Sequence, residues 1–379
     1  MAERRTRKRG ARGRAKAGDV HALRLARLRG LLRRAGISAL LITRPNDIRY
    51  LTGFSGEDSY GIVTAGSLMV LSDFRFEEEL EEIRDRAKVV LRSKPIVEAA
   101  CEALARIRGR VIGVQSEHLS AATRGLLVRG LGAARIRDTR GLLDSLRIVK
   151  DETEIATIRK AARIQEGALL AVLPLIRPGM KESLIAARLE YEMRARGAEG
   201  TSFESIVAAR ANGSRPHHRA GATTTARGRP LLIDWGARLG GYCSDMTRTF
   251  CLGKWPARMG EVYRVVLEAQ EAAIAAIAPG KTCGEIDAVA RGIIEKAGYG
   301  ERFGHGLGHG IGLDIHENPR LARGMGTVLE PGMVVTVEPG VYLPGVGGVR
   351  IEDDILVTAH GRMNLCRLPK EMEWATLHG

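Results

Sequence analysis

The spacing of apolar residues changes several times along the first third of the chain. Leucines between Leu23 and Leu32, set among arginines, predict an amphipathic helix that ends near Gly36. The apolar run 37–42 is typical of a buried strand. Further predicted elements are a turn at 44–47, a hairpin with strands 60–64 and 68–71, helix-like runs at 76–86 and 97–106, and a strand at 111–114. This alternation predicts an α/β domain over residues 19–148.

The rest of the chain, residues 149–379, combines long helical patterns with glycine-rich strands. Residues 153–172 and 182–197 predict two helices, and residues 259–278 a third, which Pro279-Gly280 ends. Strand residues and glycine turns dominate after Gly200 and again after Phe303. An α+β domain is therefore expected here.

The net charge of +15 is concentrated at the N-terminus. Residues 1–18 hold eight Lys/Arg against Glu3 alone. This composition predicts a basic disordered tail. A nucleic-acid tether is the alternative, but no aromatic residue interleaves the charges as a stacking platform, so no nucleic-acid partner is expected.

Composition also limits the location of the protein. No apolar run approaches the roughly 18 residues of a membrane span, and the basic N-terminus lacks the apolar region of a secretory signal. The five cysteines are scattered and form no CxxC pair. Together these features predict a cytoplasmic protein with reduced thiols.

Two predicted hairpins carry acids where a core should be apolar. A turn at Leu239-Gly240 would place Asp234 opposite Asp245, next to the buried run 231–233. Glu338 and Glu352 lie almost symmetrically about a second turn. Four inward carboxylates repel unless divalent cations separate them, which predicts more than one metal ion. The alternative, exposed acids on ordinary hairpins, explains one acid better than four paired ones.

A glycine–histidine segment, residues 303–317, is the second chemical signal. It carries His305, His309 and His316 among alternating glycines, which would let the backbone approach a ligand closely. The segment contains neither GxGxxG nor GxxxxGK[ST], which argues against a nucleotide loop, and HExxH is absent. Imidazole is a natural metal ligand, and His217 could contribute another.

These residues resemble the signature of the pita-bread metallopeptidases, in the branch of creatinase, aminopeptidase P and prolidase. The matching strings are Ile-Asp-Trp-Gly-Ala at 233–237, Ser-Asp-Met-Thr-Arg-Thr at 244–249, Gly-His-Gly-Ile-Gly at 308–312, Thr-Val-Glu-Pro-Gly at 336–340 and Val-Arg-Ile-Glu-Asp at 349–353. Residues 48–54 resemble the smaller N-terminal domain of that branch. The resemblance implies a pita-bread domain over 149–379, preceded by a smaller α/β domain of the creatinase type.

The resemblance also implies a metal shell. Asp234 would ligate one metal ion, His309 and Glu338 the other, and Asp245 and Glu352 would bridge both. Glu338 would shuttle the proton of the attacking water. Two Mn²⁺ ions are expected in this oxygen-rich shell, with Co²⁺ or Zn²⁺ as alternatives.

Four further residues receive roles from the resemblance. His217 and His316 would orient the substrate and stabilise the tetrahedral intermediate. Arg350 would hold a bridging carboxylate, and Arg320 resembles the prolidase arginine that binds the proline carboxylate, unless it is an ordinary surface arginine. Arg210 departs from the family, which usually has a small residue there.

The predicted function is hydrolysis of Xaa-Pro bonds at peptide N-termini, as in Xaa-Pro aminopeptidases. The substrate would be a peptide with proline at the second position, and no membrane partner is expected. A strict Xaa-Pro dipeptidase is the alternative within enzymes. From another class, the chain could be a catalytically dead binding module whose basic tail contacts nucleic acid. A homodimer is expected by analogy alone.

Overall fold

The computed structural model describes residues 19–107 and 111–378, which form two compact units. One unit ends at Leu146 and the other begins at Arg147. The predicted basic tail, residues 1–18, lies outside the described residues.

The first unit is built on a mixed six-stranded sheet. Its strands are β1 (Ala39–Ile42), β2 (Tyr60–Thr64), β3 (Leu68–Ser72), β4 (Lys88–Leu91), β5 (Ile112–Gln115) and β6 (Ile136–Thr139), in the order β4-β3-β2-β1-β5-β6. β1 runs antiparallel to β2 and parallel to β5. All four residues of β1 are buried, because β1 lies in the middle of the sheet.

Helices connect and cover these strands. They are α1 (Val20–Arg34), α2 (Pro45–Thr52), α3 (Glu77–Glu81), α4 (Ile96–Ala105), α5 (Ala121–Leu131) and α6 (Asp144–Arg147). The turn predicted at 44–47 is wrong, since Pro45 opens α2 with its fixed φ suited to a first helical turn. The helix-like run 76–86 was predicted too long, because α3 ends at Glu81.

The second unit contains four long helices. They are α7 (Glu152–Val172), α8 (Glu182–Ala195), α9 (Ala257–Ala276) and α10 (Cys283–Lys296). Asp151 caps α7 in a reciprocal capping box with Glu154, and Thr282 does the same for α10 with Glu285. α7 packs on α8 and α9 packs on α10.

The strands of the second unit are divided among several sheets. They are β7 (Gly200–Thr201), β8 (Ile206–Ala209), β9 (Pro230–Trp235), β10 (Ala237–Leu239), β11 (Tyr242–Cys243), β12 (Met246–Leu252), β13 (Gly308–Gly310), β14 (Glu317–Leu321), β15 (Val334–Val337), β16 (Gly340–Leu343), β17 (Gly347–Arg350), β18 (Asp353–Thr358), β19 (Gly361–Asn364) and β20 (Thr376–Leu377). The sheet orders are β11-β10-β7, β20-β12-β9-β8, β14-β13-β15-β18-β19 and β16-β17.

One apolar core joins the helices and sheets of the second unit. Trp235 from β9, Val266 from α9 and Val335 from β15 are fully buried in it. No helix among the described residues has the length and apolar content that a membrane crossing needs.

Candidate metal centre

Four of the five predicted ligands lie where strands of the second unit end or change sheet, and the fifth lies within a short strand. Asp234 is near the end of β9, and Asp245 lies between β11 and β12. Glu338 separates β15 from β16, Glu352 lies just before β18, and His309 is the middle residue of β13. All five line one cavity of about 780 Å³. The fold therefore brings the whole predicted ligand set together.

The register predicted for the first acidic hairpin is wrong by two residues. β9 and β12 pair Asp234 with Thr247, not with Asp245. The turn lies at Gly240-Gly241 instead of Leu239-Gly240, and both glycines have positive φ, of 55° and 80°. Asp245 still reaches the cavity because it lies in the break between β11 and β12.

The second acidic hairpin has the predicted symmetry. Val337 pairs with Asp353, and Gly340 pairs with Arg350, so the intervening Glu338 and Glu352 fall at the same level. The hairpin passes from one sheet to the next at this level. At this level neither glutamate is part of a strand, and both side chains line the cavity.

Unpaired carboxylate oxygens make the centre a candidate cation site. Oδ1 of Asp234, Oδ1 of Asp245 and Oε1 of Glu352 are buried and have no hydrogen-bond partner within the described part of the chain. One ligand atom each from Asp245, His309 and Glu352 lie within 4.8 Å of one another. Such acceptor-only oxygens are costly to bury without a cation, so the residues fit a divalent metal ion.

The acids of this cluster are hard to ionise without a counter-charge. Burial, and then repulsion from neighbouring carboxylates, raise the pKa of Asp245 and of Glu352 well above their ordinary values. Burial also raises the pKa of Asp234, against the opposing pull of Arg350. Burial raises the pKa of Glu338 to about 7, again opposed by Arg350.

His309 is held in the tautomer that a metal ligand needs. Its Nδ1 lies 3.0 Å from the carbonyl oxygen of Gly310, and only a protonated Nδ1 can pair with that acceptor. The lone pair is then on Nε2, which lies 3.3 Å from Glu338 Oε1 and 3.7 Å from Asp245 Oδ2. Burial, and then the neighbouring His316, lower the pKa of His309 to about 3. The ring is therefore neutral near pH 7.

The alternating glycines around His309 allow tight packing between strands, and Gly306 and Gly308 also line the cavity. A Cβ on Gly308 would lie 2.0 Å from the carbonyl oxygen of Thr336, and one on Gly310 2.1 Å from that of Asn318. The two glycines therefore let β13 pack tightly between its neighbours. This packing fixes the backbone of His309.

Arg350 connects several acids of the centre by hydrogen bonds. Its Nη2 donates to Asp234 Oδ2. Its Nε donates to Thr247 Oγ1 over 3.0 Å, and that hydroxyl donates to Glu352 Oε2 over 2.6 Å. Arg350 also donates to the hydroxyl of Tyr342 over 2.8 Å. The hydrogen bonds thus connect Arg350 to Glu352 through Thr247.

Two residues that the sequence analysis missed fix the main chain of Asp245. Its N–H donates to Asp354 Oδ2 over 3.0 Å, and its carbonyl oxygen accepts from Gln165 Nε2 at 3.3 Å. Gln165 on α7 also accepts from Ser244. Asp354 could have been suspected as a further acid inside a buried strand, but Gln165 lies in an ordinary helical pattern.

The predicted substrate residues line the same cavity. His217, His316 and Arg320 all belong to its wall. The rings of His309 and His316 lie edge to face, with 4.5 Å between centroids, and Arg320 pairs with His309 across β13 and β14. Burial, then the charges of Arg320 and His217, lower the pKa of His316. The cavity wall therefore carries imidazole and guanidinium groups as well as the acids.

Glu317, next to His316, was also missed. It is buried in contact with Arg147, and its Oε2 lies 3.1 Å from Lys150 Nζ. Burial works to raise its pKa, but Lys150 and Arg147 outweigh this and lower the pKa to about 2. The ionised carboxylate ties the start of β14 to the chain just before α7.

The known proteins to which this chain is similar are peptidases. The family described as "Metallopeptidase family M24" matches residues 156–359, and the "Creatinase/Prolidase N-terminal domain" matches residues 24–149. An Xaa-Pro dipeptidase of Pyrococcus horikoshii is 35% identical over 339 residues, which cover 89% of this chain and 94% of that protein.

Solved structures agree with this comparison. An Xaa-Pro dipeptidase from Bacillus anthracis matches with a TM-score of 0.90 and 37% identity, over 93% of this chain and 99% of that one. An X-Pro aminopeptidase from Thermotoga maritima matches with a TM-score of 0.82 and 35% identity, over 89% and 98% of the two chains. Both specificities therefore occur on closely similar folds.

Proposed function

The chain belongs to metallopeptidase family M24, and from this premise we propose that it is an Xaa-Pro dipeptidase that uses two divalent cations. The α+β prediction is confirmed: a domain of the creatinase/prolidase type precedes a pita-bread domain. The observation that carries the proposal is that Asp245, His309 and Glu352 bring ligand atoms within 4.8 Å of one another. Buried carboxylate oxygens that lack a hydrogen-bond partner among the described residues lie on Asp234, Asp245 and Glu352, which line the same cavity.

The relatives favour the dipeptidase over the aminopeptidase that the sequence analysis put first. Two curated relatives and several of the similar structures are named Xaa-Pro dipeptidase or prolidase. Arg320 supports the same choice, because its guanidinium can pair with the free carboxylate of a C-terminal proline. A longer peptide carries no carboxylate at that position.

The donor set supports manganese as the metal. Four carboxylates and one imidazole form an oxygen-rich shell, which suits Mn²⁺ better than a thiolate-preferring ion. Asp234, Asp245, His309, Glu338 and Glu352 would together hold the two ions. Bound there, the two ions would polarise the scissile carbonyl and lower the pKa of a coordinated water.

The side chains around the centre divide the remaining work. The Glu338 side chain is 16% exposed and lines the cavity, so its carboxylate can accept the proton of the attacking water and return it to the proline nitrogen. His217 and His316 can donate to the oxygen of the scissile carbonyl as it gains charge. Arg320 would orient the dipeptide through its carboxylate.

A cleavage assay with Mn²⁺ tests the proposal. Ala-Pro should be hydrolysed faster than Ala-Pro-Ala, measured as proline or dipeptide released, and Asp245→Ala should abolish turnover of both. Arg320→Ala should raise the KM for Ala-Pro but not for the amide Ala-Pro-NH₂. Faster cleavage of the tripeptide would favour the aminopeptidase. Absence of any Xaa-Pro cleavage with bound metal would refute the proposed function.

The cysteines support the predicted compartment. All five are free thiols, and four of them are buried. Free thiols persist in reducing compartments, so we keep the cytoplasm as the proposed location.

A further inference from the structure

We propose that Glu182 is a positioning residue that holds His217 towards the metal centre. The inference rests on the substrate role proposed for His217. Glu182 lies at the start of α8 and does not line the cavity, so it acts through the loop that carries His217. This loop, residues 209–221, is named the histidine loop below.

The carboxylate of Glu182 accepts hydrogen bonds from both ends of the histidine loop. The Glu182 side chain is completely buried, and each oxygen accepts two hydrogen bonds. The donors are Ala209 N at 2.7 Å and Asn212 Nδ2 at 2.9 Å on Oε1, and His218 Nε2 at 2.9 Å and Gly221 N at 3.0 Å on Oε2. Two donors precede His217 in the chain and two follow it. One buried group therefore fixes the loop on both sides of that histidine.

An ionised carboxylate suits this place better than any neutral side chain. Burial works to raise the pKa of Glu182, but the hydrogen bonds from Asn212, His218 and the two main-chain N–H groups outweigh it and lower the pKa. A glutamine offers only one acceptor oxygen. Its amide would point N–H groups at either Ala209 N or Gly221 N, so one buried main-chain donor would lose its partner.

The other side of the histidine loop rests on β17. A Cβ on Gly213 would lie 3.0 Å from the nitrogen of Gly348, and one on Gly348 would lie 2.0 Å from the oxygen of Gly213. Arg350 at the end of β17 donates to the carbonyl oxygen of Pro216, over 3.4 Å. The loop is thus held between Glu182 on one side and the strand of Arg350 on the other.

Weakening the hydrogen bonds between Glu182 and the histidine loop should therefore move His217 without altering a proposed metal ligand. We expect Glu182→Gln to lower kcat/KM for Ala-Pro by about 10- to 100-fold, since small displacements of a positioning group cost that much. The Mn²⁺ affinity measured by titration calorimetry should stay within about twofold of the wild type, because none of the five ligands lies on the loop. Glu190→Gln, a matching change further along α8, should alter neither quantity.

A double-mutant cycle separates positioning from a general structural effect. In a His217→Ala background, Glu182→Gln should change kcat/KM by less than about twofold, because both changes remove the same contribution. Equal losses in the two backgrounds would overturn the proposal, and so would full activity of Glu182→Gln.

A readout independent of activity keeps the proposal distinct from the proposed function. The ring resonances of His217, assigned by its substitution in proton–carbon NMR spectra, should shift in Glu182→Gln and not in Glu190→Gln. Unchanged resonances would overturn the positioning role even in an inactive enzyme. If Glu182→Gln does not fold, as judged by circular dichroism, Asn212→Ala removes one donor and should shift the same resonances.

Discussion

Thr247 is a single residue on which both acidic hairpins depend. It is fully buried, lies opposite Asp234 in the strand pairing, donates to Glu352 and accepts from Arg350. Its hydroxyl is the link between the arginine and a proposed bridging carboxylate. Ligand neighbours of this kind orient the ligands and tune metal affinity.

Thr247→Val should weaken metal binding while keeping the shape of the side chain. The change leaves Glu352 Oε2 and Arg350 Nε without this partner, so we expect the Mn²⁺ affinity to fall by about 10- to 100-fold. Titration calorimetry on the metal-free protein measures the change. Thr358→Val, at the end of β18, is the control and should bind like the wild type. An unaltered affinity for Thr247→Val would contradict this role.

The sequence points to the five proposed ligands but not to their neighbours. The proposed ligands lie in short strings that match a family pattern, and acids inside apolar runs carry a signal of their own. Thr247 and Gln165 carry no such signal, because threonine in a strand and glutamine in a helix are ordinary. Their roles depend on a register that was predicted two residues out of step.

At the scale of elements, the start of the histidine loop holds an unusual backbone. Arg210 has a φ of 58°, and it is the non-glycine residue with positive φ within the described ranges. Its guanidinium donates to Thr224 Oγ1 over 3.1 Å, and Arg210 does not line the cavity of the metal centre. Arg210 stands where the family usually has a small residue, and it therefore affects the conformation of the histidine loop more directly than it affects the cavity.

Arg210→Gly should be more stable than Arg210→Ala by about 1 kcal/mol, because the left-handed conformation strains every residue with a Cβ while glycine gives back part of the gain as chain entropy. Both variants lose the same arginine side chain, so their difference isolates the backbone. Urea unfolding followed by circular dichroism measures it. Equal midpoints for the two variants would show that the left-handed conformation costs nothing here.

Helices were predicted where apolar spacing is long and regular. The patterns at 153–172 and 259–278 correspond to α7 and α9 with small changes at the ends. α10 was missed although Thr282 and Glu285 form a capping box, since no long stripe drew attention to it. Pairing between strands was harder, because two adjacent glycines shifted the turn of the first acidic hairpin.

At the scale of the whole molecule, bound metal should stabilise the fold. The acids of the centre repel one another without it, and a ligand at 100 times its Kd adds about 2.7 kcal/mol of stability. We expect saturating Mn²⁺ to raise the Tm over that of chelated protein by roughly 5 to 10 °C for a domain of this size. Calorimetric melting of the Asp245→Ala variant should lack this shift. If neither added Mn²⁺ nor chelator changed the Tm, this result would count against the metal centre.

The division into an α/β unit followed by an α+β unit could be predicted because each type of pattern fills one continuous part of the chain. The family strings then selected one architecture among many. The mixed sheet of the first unit could not be ordered from the sequence, since β1 pairs antiparallel with β2 and parallel with the distant β5. Such pairings depend on contacts far apart along the chain.

The placement of the ligands on hairpins far apart in the chain has a consequence for biosynthesis. Asp234 and Asp245 leave the ribosome well before Glu338 and Glu352. At roughly 5–20 residues per second, translation needs several seconds more to complete the set. The nascent chain would therefore expose two of the proposed ligands before the other three are synthesised. The cation that is most available when β18 emerges would then have the first opportunity to bind at the proposed metal centre.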